Sequence, residues 1–373
     1  MINRIPVNVP EVTEDDIEAV VLAMRGGWIS GDSPVVAEFE EKFSAAHGKS
    51  FGVAVPNGTL AIDLTVSALD IGVGDEVIMP TFAIISCVSQ VLRLGATPVF
   101  IDADPITWNM DVRNIEQAIT SKTRAILAVH TYGLPVDMDP VLAVASRYSI
   151  PVVEDAAESH GLIYKDRVCG SMGFVSTFSF YANKNVTTGE GGMILTDDEA
   201  LATRLRYLHN LTFNPERRFV HEELGWNLRF TGIQAAMGLS QLARLDSSIE
   251  KRRRFSAVYR EALAVCEGVA MAPQHTSYAT NDYWVVGVVL DSTKKGNAAD
   301  LAKKLDLQGV QTRPFFYPLH QQPVYLKAPQ GHPISLPVAE NLGRQGLYFP
   351  NGLGMSDAQI HTAAGVIRKT LSS

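Results

Sequence analysis

Cysteine is scarce in this chain of 373 residues, and what its three cysteines fail to form is informative. Cys87, Cys169 and Cys266 stand far apart, with no Cys-x-x-Cys spacing. That argues against a disulfide framework and against a zinc site, so reduced thiols and no metal are expected. Long apolar runs are missing too. No stretch of about 18 uninterrupted apolar residues occurs, so no membrane-spanning helix is expected. The start, MINRIPVNVP, has no basic segment followed by an apolar one; no signal peptide is expected, and the cytoplasm is the expected compartment. Positive charge is in deficit, with 32 Lys and Arg against 40 Asp and Glu and a net charge of −8. A general affinity for nucleic acid or an anionic membrane is not expected from such a balance. The run KRRRF at 251–255 reads as the solvated face of a helix. Repeats and low-complexity tracts are absent.

What is present is globular: 46% hydrophobic and 19% charged residues, enough for a sizeable core and two domains. From residue 51 short apolar runs alternate with helical stretches: FGVAV, EVIMP, TPVFIDAD, RAILAVH and IPVVEDA are the strands. They are apolar throughout, as strands covered on both faces are, and the alternation predicts a mostly parallel α/β sheet. VRNIEQAI reads as one of the intervening helices. RVCGSMG, VSTFSFY and GGMILTD read as further strands, followed by a helix at DEALATRLRYLHN. One long helix is expected from near Gly232 through IQAAMGLSQLARLDSSIEKRRRFSAVYREAL, bridging two parts. Residues 1–245 are thus assigned to a large α/β domain, and 246–373 to a smaller α+β domain.

Ligands of open α/β sheets bind outside the carboxyl ends of the strands, which is where polar residues gather here. Asp155 ends an apolar strand; it fits either an N-cap for the next turn or a partner for a buried cation such as a protonated pyridine nitrogen. Lys184, in FSFYANKNVTTGEGGM, is the one charged residue between Arg167 and Glu190. A lysine forms a Schiff base only as the free amine, and a desolvated setting lowers its pKa. Gly58 and Thr59 open a helix straight after a strand, which suits a phosphate, and Ser179 could add a donor. TTGEGG matches neither a Walker A loop nor G-x-G-x-x-G. Phe82 could stack on a flat heteroaromatic ring or belong to the core.

Eight stretches in order carry a resemblance. They are GGWISGDSPVVAEFEEKF, VPNGTLAIDLTVSALDIGVGDEVIMPTFA, ATPVFIDADPITWNMD, HTYGLPVDMDP, VVEDAAESHG, FSFYANKNVTTGEGGM, GWNLRFTGIQAAMGLSQL and TRPFFYPLH. Together they resemble the DegT/DnrJ/StrS family of pyridoxal-phosphate-dependent sugar aminotransferases over nearly the whole chain. The resemblance implies a fold-type-I architecture, with a mostly parallel seven-stranded sheet and a smaller C-terminal α+β domain. It makes Lys184 the lysine that carries pyridoxal 5'-phosphate, with pyridoxamine phosphate arising in turnover. Asp155 becomes the partner of the ring nitrogen and Glu158 a neighbour of the phenolic oxygen. Ser179, Gly58 and Thr59 hold the phosphate, and Phe82 lies on the ring. Asn227 reaches the phosphate of a neighbouring subunit, implying a homodimer with shared sites. L-Glutamate and a keto sugar are the implied substrates. TRPFFYPLH, FSFYANK and the overall length look closest to enzymes aminating C4 of nucleotide-linked 4-keto-6-deoxy sugars, and Arg229, Tyr317 and His320 are candidate substrate contacts. Leu228 stands where the family's tyrosine is usual, and lysine rather than histidine at 184 favours amination over dehydration.

Overall fold

The computed structural model describes residues 4–214 and 216–372. Its main sheet has seven strands: β1 (Phe51–Val55), β2 (Glu76–Pro80), β3 (Thr97–Ile101), β4 (Thr123–Val129), β5 (Val152–Asp155), β6 (Val175–Ser179) and β7 (Gly192–Thr196). Their order is β1-β7-β6-β5-β4-β2-β3. The β2–β3, β2–β4, β4–β5 and β5–β6 pairs are parallel, and β7 alone runs against its two neighbours. Six carboxyl ends therefore share one edge. The mixed, mostly parallel sheet expected from the apolar runs is present.

Helices α1 (Glu14–Arg25) and α2 (Pro34–Ala46) precede the sheet. Helix α3 (Gly58–Ala68) follows β1, α4 (Ser86–Arg93) follows β2, and α5 (Met138–Tyr148) lies between β4 and β5. Helix α6 (Glu199–His209) follows β7. The long helix expected after Gly232 is two: α7 (Gly232–Leu242) and α8 (Leu245–Leu263). Arg244 leaves helical geometry at φ −117°, ψ 20°, and its guanidinium reaches Asp16 on α1 at 2.7 Å and the Glu11 carbonyl at 3.0 Å. VRNIEQAI forms two short 3-10 turns, Val112–Asn114 and Glu116–Ala118, rather than a helix. Asp111 accepts from the Arg113 amide and ties down its guanidinium, which fixes a tight local turn. Of RVCGSMG only Arg167–Val168 is extended, in a hairpin with Ile163–Tyr164.

A four-stranded antiparallel sheet, made of Val269–Ala270, Val286–Leu290, Gly346–Phe349 and Arg313–Pro314, forms a second layer with its own core. We propose a division at 245/246 that the N-terminal segment crosses: Ile5 belongs to the second core and bonds to Gly309 and Gln311. Helix α8 links the two: Leu245 and Ile249 pack in the main core, Phe255, Tyr259 and Leu263 in the second. Among the described residues no helix is long and apolar enough to cross a membrane.

Aromatic packing holds β6 in place. Phe178 and Phe180 are fully buried against Phe39, Phe43, His47 and His160. Side chains alternate along a strand, so Ser179 between them faces the opposite way. His47 Nδ1 donates to the Phe43 carbonyl, and burial lowers its pKa from 6.5 to about 4. Burial also holds His160 well below its ordinary value. Both rings are neutral when folded and take up protons on unfolding, so their contribution is intact above about pH 6.5 and lost as pH falls through their folded values. Urea midpoints should therefore drop between about pH 7 and pH 4.5, and His47→Gln should flatten that slope. An equal slope in the variant would remove His47 from the account.

Candidate active site

The carboxyl edge of the sheet and the second layer enclose a cavity of about 400 Å³. Asp155 enters from the end of β5, Ser179 from the end of β6, and Gly58 and Thr59 from the start of α3. Lys184 comes from the loop joining β6 to β7. Glu158 follows β5 by three residues. Six of the expected residues thus face one space: Gly58, Thr59, Asp155, Glu158, Ser179 and Lys184.

The lysine loop is folded back on itself. Phe180 donates to the Gly191 carbonyl at 2.7 Å, Thr188 to the Phe180 carbonyl at 3.0 Å, and the Lys184 amide to the Tyr181 carbonyl at 2.9 Å. Lys184 is 8% exposed, and its Nζ lies 3.7 Å from the centre of the Trp284 ring and 3.9 Å from Glu158 Oε1. Burial lowers the lysine pKa, against the pull of Glu158 and Asp155. Burial likewise raises Glu158, although Lys184 and the Tyr132 amide, 2.8 Å from Oε2, favour its charged form. Desolvation thus moves both partners towards a neutral amine and a protonated carboxyl. Asp155 is 3% exposed; its Oδ1 accepts from the Ala157 amide at 3.0 Å and its Oδ2 from Cys87 Sγ at 3.6 Å. Burial raises its pKa as well, so a cation brought to that carboxylate would be strongly favoured.

A helix N-terminus also opens onto the cavity. Asn57 caps α3 by accepting from Leu60 N–H at 2.9 Å, leaving the Gly58 and Thr59 amides at a helix N-terminus. Thr59 Oγ1 meets Ser86 Oγ at 2.7 Å. A Cβ on Gly58 would stand 2.7 Å from Ser179 Cβ, so only glycine lets helix and strand approach this closely. Thr177 Oγ1, buried beside the cavity, has no hydrogen-bond partner.

Other expected residues lie elsewhere. Phe82 packs one layer back, 5.7 Å from the Tyr132 ring and 5.9 Å from that of Phe316, which itself lines the cavity. Asn227 is exposed and outside the lining, while Leu228 is buried in the main core. Arg229 donates to Asn210 Oδ1 at 2.5 Å, and Tyr317 is exposed. His320 is buried, with Nδ1 2.7 Å from Thr81 Oγ1. Residues absent from the expectation line the site instead: Trp284, Arg313, Phe316 and Tyr348 all come from the second layer. Trp284 stands at the start of NDYWVVGVVLD, whose apolar run signals a strand and nothing more. KRRRF was read as solvated, yet Arg252 is 1% exposed. Its signal was available: Leu245, Ser248, Ile249, Arg252, Phe255 and Ser256 follow the three-four spacing of a buried helix stripe.

His130, Glu154 and Cys169 form a buried group whose ligand-type atoms lie within 4.8 Å of one another. His130 Nδ1 accepts from Val136 N–H at 3.0 Å, so its Nε2–H donates to Glu154, 2.9 Å away. Glu154 also accepts the Gly170, Met172 and Gly173 amides. With those lone pairs engaged, the group reads as packing, not a metal centre.

This sheet order, second layer and strand-end cavity place the chain in the class of fold-type-I aminotransferases. An aminotransferase, TlmJ from Streptoalloteichus hindustanus, shares the fold at a TM-score of 0.92 and 29% identity, with 99% of each chain covered. Residues 10–368 match the DegT/DnrJ/EryC1/StrS aminotransferase family, and the chain belongs to that family. It is similar to the GDP-perosamine synthase of Caulobacter vibrioides, 38% identical over 99% of this chain and 98% of the relative. It is also similar to the putative pyridoxal phosphate-dependent aminotransferase EpsN of Bacillus subtilis, 33% identical over 96% and 93% of the two chains.

The Lys184–Glu158 contact generates a prediction. Glu158 favours the charged lysine, so Glu158→Gln should lower the Lys184 pKa further. Acetylation of the Lys184 peptide, followed by mass spectrometry across pH, should reach half-maximum at lower pH in the variant. A shift to higher pH would contradict the assigned polarity.

Proposed function

We propose that the chain transfers an amino group from L-glutamate to a keto sugar, using pyridoxal 5'-phosphate held in the 400 Å³ cavity. The buried Lys184 amine, set across from carboxylates in a cavity onto which a helix N-terminus also opens, carries this reading. The residues fit the cofactor on structural grounds: the space at Gly58 that a Cβ would fill, the unpartnered Thr177 hydroxyl and the helix N-terminus suit a phosphate ester. Asp155, at the end of β5, suits a ring cation. The family and the relative EpsN support the cofactor, and the GDP-perosamine synthase relative supports a nucleotide-linked 4-keto-6-deoxyhexose as acceptor, for surface polysaccharide.

When bound, the cofactor would supply an electron sink for deprotonating the carbon next to the amine. The chain supplies the rest. Lys184 Nζ would hold the cofactor and, as the free amine, would move the proton, work worth about 10²–10⁴-fold. Asp155 keeps the ring nitrogen protonated, and Glu158 stands beside the lysine to accept or return a proton. Ser179, Gly58 and Thr59 anchor the phosphate, while Trp284 and Phe316 keep water from the amine. Phe82, one layer back, packs behind Phe316, which lines the cavity. Arg229, Tyr317 and His320 lie outside the lining, so Arg313 and Tyr348 replace them as the polar groups offered to substrate.

We also propose a homodimer acting in the cytoplasm. Asn227 is exposed beside exposed Trp226 and Leu224, as a residue completing a partner's site would be.

Lys184→Ala should abolish turnover and the yellow colour of the cofactor-loaded chain; a variant that still turns over would overturn the assignment. Asp155→Ala should retain cofactor yet lose about 10²-fold or more in rate. Sharing of sites is tested by mixing: Lys184→Ala chains refolded together with Asn227→Ala chains should regain activity that neither has alone. No recovery from verified mixed dimers would mean that each site is complete in one chain.

A further inference from the structure

Arg252 is the largest side chain among those fully buried in the described residues, and the chemistry proposed above makes no use of it. It sits midway along α8, between the turn that packs in the main core and the turns that pack in the second. Its guanidinium hydrogen bonds are directed at three segments: the lysine loop, Trp284 and Asn351. Nη2 donates to the Asn183 carbonyl at 2.7 Å, and Nε to Asn185 Oδ1 at 2.6 Å. Nη1 donates to the Trp284 carbonyl at 2.8 Å and to the Asn351 carbonyl at 2.7 Å. The residues on either side of Lys184 are thus gripped by one planar fork.

A second set of bonds closes the grip. Trp284 Nε1 donates to the same Asn183 carbonyl at 2.9 Å, which brings its ring under Lys184 Nζ. Asn185 Nδ2 donates to Asp282 Oδ2 at 2.9 Å, and Asp282 Oδ1 accepts from the Trp284 amide at 3.1 Å. Asp282 is buried and its own turn is fixed by Gly133, whose missing Cβ would lie 2.2 Å from Asp282 Oδ1. The buried guanidinium and the buried carboxylate share one asparagine between them. Charge is balanced across the lysine loop without either ion touching Lys184.

We propose that Arg252 is a positioning residue for Lys184: with Asn185 and Asp282 it fixes the lysine loop against the Trp284 segment and so sets the direction of the amine. The inference rests on the reading of Lys184 as the reactive amine. It also explains why a helix joining the two cores carries a buried charge at its midpoint. Only a planar fork can bond an amide oxygen and three carbonyls from one position, so lysine cannot replace it. Arg252 also disfavours a charged Lys184 across the short gap. Shape and charge are therefore two separable contributions.

The test uses Arg252→Lys, Arg252→Met and, as a control for lost stability alone, Leu305→Ala in the second core. Each full-length chain is loaded with pyridoxal phosphate and measured for kcat, KM for L-glutamate and melting temperature; each cofactor-free chain is measured for the pH midpoint of Lys184 acetylation. Arg252→Lys should lose about 10²-fold in kcat, the scale of a small misplacement, with KM changed little and the acetylation midpoint held. Arg252→Met should lose similar kcat and move the midpoint to higher pH, since a neighbouring positive charge is gone. Leu305→Ala should melt earlier with kcat intact. If Arg252→Met does not fold, Asn185→Ser breaks the same grip and should show the Arg252→Lys pattern. Arg252→Lys with kcat within about twofold of the unsubstituted chain would overturn the proposal, as would a loss shared by Leu305→Ala. If Lys184→Ala is itself active, the reading of the site fails first, whatever Arg252 shows.

Discussion

A lysine amine removed from water has two ways to avoid an uncompensated charge: give up its proton or find a carboxylate. Lys184 is placed between them, 3.9 Å from Glu158 and lying over an indole ring. Much else follows from that placement. The carboxylates that oppose it must themselves be buried, so they sit at or just beyond the end of a central parallel strand, where backbone amides can bond to them. The loop bearing the lysine must leave β6 and return as β7 without losing its backbone hydrogen bonds, and it does so by closing on its own carbonyls. The one antiparallel strand of the main sheet is the geometric result.

The fold was legible where sequence pattern and burial coincide. Seven apolar runs became the seven strands, because strands covered on both faces must be apolar on both. Gly58, Thr59, Asp155, Glu158, Ser179 and Lys184 were legible as a group because each stands at or just past the end of an element on the same edge.

What stayed hidden came from competition between local and tertiary forces. The 232–263 stretch has helical periodicity throughout, yet Arg244 breaks it, because two bonds to Asp16 and Glu11 outweigh one more helical turn. Arg252 looked solvated because its neighbours Arg253 and Arg254 are. The helix stripe, not the charge run, determined its fate. Trp284, Arg313 and Tyr348 were invisible for another reason: they reach the cavity from 100 to 164 residues beyond the lysine, and nothing local records such a contact. His320 went the opposite way, drawn into a buried bond with Thr81 that leaves it no part in the lining.

The pairing of Ile5 with Gly309 and Gln311 has a consequence for how the molecule is made. All seven strands of the main sheet have left the ribosome once residue 196 is through, but the partners of the first residues have not. At ordinary translation rates the leading segment waits some tens of seconds for them. During that interval the Ile5 amide and carbonyl lack the Gly309 and Gln311 partners they hold in the folded chain.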